Sequence, residues 1–263
     1  MVAAQYQRFR AAASVLLAVL LFGQRPVADS RPSGLEPASP EARFVDRAAR
    51  SYELAKKVFL AAPRDGPAAW HFARACFDRA EYATNNAQRA AIAREGIAAA
   101  RQLVQREPSS AAAHYYLGLN LGQLARTESF GALRLVEEME REFARARDLD
   151  AQFDYAGPDR SLGLLYLDAP GWPVSVGSRR KARMHLEQAV ARAPDYPENR
   201  LSLLEAYLRW NDRTGALRQW RAHQKSLPAA REQFQGEQWE PAWADWDKRW
   251  RAIRARIEYE EGQ

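Results

Sequence analysis

From residue 41 onward, apolar positions recur at helical spacing almost without a break, and one helix-turn-helix pattern returns several times. In the last copy Leu203, Leu204 and Tyr207 share one face of a predicted helix, Ala216, Trp220 and His223 share a face of the next, and Pro228 follows 34 residues after Pro194. One copy earlier, Leu162, Gly163 and Tyr166 form a Leu-Gly-x-x-aromatic element, with Ala182, Leu186, Ala189 and Pro194 behind it. His114, Leu117, Gly118 and Leu121 begin another copy, completed by Phe143 and Ala146. A weaker copy uses Trp70, Ala73 and Phe77, then Gly96, Ala100, Leu103 and Pro108. A leading helix over 41–62 ends at Pro63. The ends at Pro63, Pro108, Ala151, Pro194 and Pro228 are spaced by 45, 43, 43 and 34 residues, so three units carry extra residues.

Small Gly or Ala at the crossing points lets paired helices approach, large residues fill the facing gaps, and Pro ends the second helix. Each pair leaves an apolar face that only a neighbour covers, so the units must stack. These residues resemble the tetratricopeptide repeat superfamily over 41–228. The resemblance implies an all-α helix-turn-helix superhelix with expanded inter-helix loops. Residues 229–263 read as a C-terminal capping helix, because Trp239, Trp243, Trp246 and Trp250, continued by Ile253 and Ile257, fall on one stripe. The other reading of that stripe is a partner anchor, since Trp is favoured at interfaces.

The middle units, with AAHYYLGLNLGQLAR, FARARDLD, GPDRSLGLLYLDAPGWP and RRKARMHLEQAVARAPDYPENRLSLLEAYL, look like the T-component associated with TRAP-type solute transporters. That resemblance implies a non-catalytic envelope protein that partners a periplasmic solute-binding protein and encloses an apolar channel. Members are often lipoproteins, whereas no cysteine lies near this N-terminus. Two alternatives are a general protein-protein interaction scaffold of the cell envelope and an intracellular organiser resembling the regulator of microtubule dynamics family, whose repeats are similarly irregular.

The N-terminus adds a location. Arg8 and Arg10 precede an uncharged run from Ala11 to Gln24, which reads as an export signal over 1–23. As a helix its 14 residues would rise about 21 Å, short of the roughly 30 Å hydrocarbon core, so a cleaved signal is expected, with an N-terminal membrane anchor as the alternative. Residues 24–40, with Pro26, Pro32, Pro37 and Pro40, read as a flexible leader. The expected location is periplasmic or otherwise exported.

Composition narrows the chemistry. Apolar residues are 47% and charged residues 27% of the chain, ordinary for a folded protein. The net charge of +6 rests on Arg, which outnumbers Lys 34 to 5, and the basic residues of the C-terminal region are interrupted by Glu237, Glu240, Asp245 and Asp247. No nucleic-acid partner is expected. The acidic run Glu137, Glu138, Glu140 and Glu142 alternates with Arg134, Arg141, Arg145 and Arg147, as on a solvated helix face. His71, His114, His185 and His223 are isolated from one another, Cys76 is the lone cysteine, and HExxH, CxxC and GxSxG are absent, so neither enzyme activity, metal nor cofactor is expected.

A partner or ligand site remains. In tetratricopeptide stacks the first helix of each pair lines the concave surface. Aligned on the Leu-Gly element, Tyr115, Leu119 and Leu164 face that surface, with Tyr166 and Trp172 near its rim. Trp172 lies in the insertion DAPGWPVSVGS, where a short turn would suffice. Such a groove suits a protein partner with an amphipathic segment, or a lipid-like apolar ligand; the alternative is that the protein's own residues fill it as core. The chain is either monomeric or a homo-oligomer.

Overall fold

The computed structural model describes residues 39–128 and 131–261. The predicted export signal and residues 24–38 of the leader lie outside the described residues. Within them, 82% of residues are helical and no strand is present. The helices are α1 (Pro40–Ala61), α2 (Gly66–Glu81), α3 (Asn86–Arg106), α4 (Ala111–Ala125), α5 (Ala132–Leu149), α6 (Phe153–Asp168), α7 (Arg179–Arg192), α8 (Pro197–Arg209), α9 (Arg213–Gln233) and α10 (Glu240–Glu261), with a 3-10 turn at Glu237–Trp239.

Local chemistry starts most of them. Ser39, Asp65, Asn85, Ser110, Ser178 and Asp212 each accept a hydrogen bond from a backbone N–H of the first turn they precede, which satisfies a donor the helix itself cannot. Pro67 adds a preset φ at the start of α2. One boundary departs from expectation. Pro228 lies inside α9, which runs on to Gln233 because Ala230 and Phe234 beyond it are buried, and that packing outweighs the lost backbone hydrogen bond.

The helices form four antiparallel pairs, α2 with α3, α4 with α5, α6 with α7 and α8 with α9, and each pair packs on the next. The first helices also touch directly, α2 on α4, α4 on α6 and α6 on α8. The small residues sit where the helices cross. A Cβ at Gly118 would lie 2.5 Å from Phe143, one at Gly163 2.6 Å from Leu186, and one at Gly215 2.7 Å from Tyr207. Those three glycines set the closeness of α4 to α5, α6 to α7 and α8 to α9. The main core runs along this axis, from Phe77 through Leu117, Phe143, Leu162, Leu186 and Leu204 to Trp246.

Candidate functional site

The face lined by the first helices is filled by the protein itself. Tyr115, Leu119, Leu164 and Tyr166 are all buried, and every residue of α4 from Ala113 to Gln123 is enclosed. The expected open apolar surface at Tyr115, Leu119 and Leu164 is therefore packed core. Tyr166 donates a hydrogen bond to Glu140 on α5 at 2.5 Å, which ties it into the α5–α6 contact.

Two segments do the filling. Asp154, Tyr155 and Ala156 have φ of 50°, 55° and 60°, and this left-handed turn carries the chain onto that face. Such backbone costs about 1–2 kcal/mol per residue outside glycine, so it must be held. Arg160, fully buried, does this. Its Nη1 donates to the Tyr155 carbonyl at 3.0 Å and to Asn199 Oδ1 at 2.7 Å, and its Nη2 donates to Asp154 Oδ2 at 3.2 Å. Tyr115 donates to the same carboxylate at 2.8 Å, so this predicted binding residue braces the turn. Phe153 then meets the rings of Trp70, Tyr115 and Tyr116, while Tyr155 stacks on Tyr196 with centroids 4.6 Å apart.

The second segment is the C-terminal one. Phe234 and Trp239 close on Tyr155 and Tyr196, and α10 then packs on α8, with Trp250 reaching α9. Trp246 and Trp239 are buried, and Trp246 donates to Glu198 Oε2 at 2.9 Å. Trp243 is half-buried under the Arg231 guanidinium, and half-buried Trp250 meets Trp220 and His223 of α9. The Trp stripe is thus spent on the protein's own last pair. Arg249 anchors the seam, with Nη1 2.7 Å from Glu198 and Nη2 2.8 Å from Glu205. Burial works to raise the Glu198 carboxyl, but Arg249 overrides it and holds the group below the usual carboxylate range.

Two of the accessible features among the described residues bear on binding. The insertion over 169–178 is tied by Gly177 N to the Pro170 carbonyl and Ser178 N to the Tyr166 carbonyl, and it holds Trp172 89% exposed instead of folding it back. It is one ring with a single exposed apolar neighbour, Val174. The larger feature is a cleft of about 480 Å³ between α1 and α2. Leu54, Ala55 and Val58 form its apolar wall, and His71, Arg74 and Asp78 its polar one. Leu54 is 65% and Val58 49% exposed. Arg74 pairs with Asp78 at 3.8 Å and keeps a buried Nη2 that no acceptor among the described residues meets. Burial pushes the Asp78 carboxyl up to about 6 against the pull of Arg74. No motif marked this cleft; the one available signal was that Leu54 and Val58 sit one turn apart on the leading helix.

The reactive residue types are dispersed. His114 pairs with Glu142 at 2.6 Å, His185 with Asp159 at 2.8 Å, and His223 is buried, which pushes its imidazole down to about 4. Burial raises the Cys76 thiol and leaves it a core residue of the α1–α3 cluster. Among the described residues no group of His, Cys, Asp and Glu could hold a metal, and no helix is long and apolar enough to cross a membrane.

No curated protein matches the chain. Residues 41–152, from α1 through α5, match the family described as Regulator of microtubule dynamics protein 1-3. Among solved structures, the protein is similar to TTC0263, a thermophilic TPR protein of Thermus thermophilus, at 19% identity and a TM-score of 0.60, covering 82% of this chain and 94% of that one. The paired helices, the crossing-point glycines and this likeness together make the fold a tetratricopeptide-like superhelix.

Proposed function

We propose that the chain is a non-catalytic interaction scaffold, and that its recognition surface is the flank of α1 with the cleft it forms against α2. The observation that carries this reading is the exposure of Leu54 and Val58, one helical turn apart, beside the polar wall of His71, Arg74 and Asp78. An amphipathic helix of a partner protein would place apolar side chains between Leu54 and Val58. In effect the partner packs on the exposed flank of α1 as a further helix of the stack would. The test is the double variant Leu54→Asp with Val58→Asp in the full chain. Loss of the protein that co-purifies with the tagged chain, at an unchanged melting temperature, is expected; its retention overturns the reading.

The role of an intracellular organiser draws support from the family match, because residues 41–152 contain both helices of the cleft. An exported protein working beside a TRAP-type solute transporter draws its support from the repeat resemblance and the N-terminal apolar run. The mass of the N-terminal peptide of the native protein separates them, since export by a cleaved signal removes residues 1–23 and an intracellular role does not require it.

A further inference from the structure

Along α1, positive charge recurs with the period of the helix. Arg43, Arg50 and Lys57 stand seven residues apart, and Arg64 carries the same spacing into the turn before α2. Seven residues are close to two turns at about 3.6 residues each, so the cations form one stripe nearly parallel to the helix axis. Leu54 and Val58 lie beside that stripe, on the side of the cleft. All four cations are exposed.

The other two cations of α1 that turn toward the protein are matched. Arg47 lies 3.3 Å from the Glu240 carboxylate of α10, and Lys56 lies 2.8 Å from Glu95 of α3. The stripe is not: among the described residues none of Arg43, Arg50, Lys57 and Arg64 forms an ion pair, and neither do the nearby Asp46 and Glu53. Across the cleft, Arg74 and Asp78 face each other, and burial with the Arg74 charge lowers His71, so that wall adds no compensating negative charge. Four cations against two carboxylates leave the outer side of α1 positive. The apolar pair is therefore bounded on one side by the cleft and on the other by unmatched positive charge.

Resting on the reading of this flank as the recognition surface, we propose that its occupant is an acidic amphipathic helix of a partner protein. Its apolar seam lies over Leu54 and Val58, and its carboxylates, recurring every seventh residue beside that seam, lie against Arg50 and Lys57. Charge of opposite sign selects this partner and speeds its approach, while the apolar contact holds it. A second copy of α1 does not fit, because beside its own Leu54 and Val58 it offers the same cations or Ala55, and no carboxylate. A flat lipid surface would meet the stripe but leave the cleft of about 480 Å³ unfilled, whereas the side chains of a helix enter it.

The experiment measures binding to the full chain, by fluorescence anisotropy, of two synthetic helices of about three heptads with the same leucine seam, one flanked by glutamate and the other by lysine. The glutamate helix should bind about ten-fold or more tightly than the lysine helix, and sodium chloride should shrink that advantage. Arg50→Glu with Lys57→Glu, at exposed positions without ion pairs, should reverse the preference at an unchanged melting temperature. The salt dependence is read on the wild-type chain, so the test survives a variant that folds poorly. Equal binding of the two helices, lost in Leu54→Asp with Val58→Asp, overturns the acidic partner and leaves the cleft as the recognition surface. Binding of neither helix, or binding indifferent to Leu54→Asp with Val58→Asp, overturns both. Capture of phosphatidylserine vesicles by a chain that binds neither helix assigns the stripe to a membrane and overturns the proposal.

Discussion

The two ends of the helical array meet the same physical problem and solve it differently. Each helix pair leaves an apolar face that the next pair should cover. At the C-terminal end α10 supplies the cover, with Trp246, Ile253 and Ile257 buried and Arg249 pinned to Glu198 and Glu205. At the N-terminal end, among the described residues, α1 packs on α2 and leaves Leu54, Val58 and Leu60 exposed. One end spends its aromatic residues on itself, and the other keeps apolar surface available. The difference teaches that the Trp stripe, the most conspicuous pattern in the chain, serves internal packing, whereas the exposed apolar side chains of α1 carried no conspicuous pattern.

Removing the cover should produce the largest effect. A chain ending before Glu237 would expose Tyr196 and Phe234 and leave Glu198 and Glu205 buried without Arg249. Aggregation and loss of a cooperative melt are expected by size-exclusion chromatography and circular dichroism. A monomeric truncation with the original melting temperature would show that the two ends are not so different.

Arg249→Met isolates the polar pin from the apolar cover. Because it strands the facing carboxylates, it should cost about 3–5 kcal/mol, read as a shift in the urea midpoint. A cost within the range of surface substitutions would mean that α10 is held by its apolar stripe alone. Between the two ends, Gly118→Ala forces a methyl toward Phe143 at 2.5 Å and should cost about 1–3 kcal/mol in the same measurement.

Acid pH sharpens the contrast. Asp245 faces Glu198 and Glu205 of α8, Glu81 of α2, Glu41 of α1, and Arg249 and Lys248 of its own helix. Its carboxyl titrates at about 7 in the folded protein and near its ordinary 3.8 when unfolded. The folded chain therefore holds a proton that the unfolded chain releases across this window. Its contribution to stability is present at low pH and declines as pH rises from about 4 to about 7. Comparing wild type with Asp245→Asn removes the opposite contribution of Glu198, whose lowered pKa favours the folded state as pH rises. The difference between the two stabilities should slope downward with pH, and a flat difference would refute the assignment. At the other end, the smallest effect is expected: Leu54→Asp should change stability by no more than about 0.5 kcal/mol, because the side chain is already exposed.

Much of the fold was legible from local chemistry. Leu117-Gly118 and Leu162-Gly163 announced close helix crossings, and the structure places Phe143 and Leu186 against those glycines. The end of α9 was less legible, because a proline terminates a helix only when nothing beyond it has a reason to stay helical, and Ala230 and Phe234 do. The candidate site was least legible. Tyr115 and Leu119 have the right periodicity for an inner face, but periodicity says only that a face is apolar and not what covers it. Trp172 lies outside any helical pattern, so its exposure depended on how the backbone bonds of 169–178 close the loop.

The sequence by itself determined the all-helical class, the pairing of helices and the need for a terminal cover, since each follows from spacing, small-residue placement and capping within about forty residues of chain. Tertiary structure alone decided that the inner face is occupied. The left-handed turn at Asp154 persists only because Arg160 and Asn199 hold it, and α10 finds its register through Arg249 and carboxylates more than forty positions away. Contacts of that range leave no period in the chain, because what selects them is shape and charge in three dimensions.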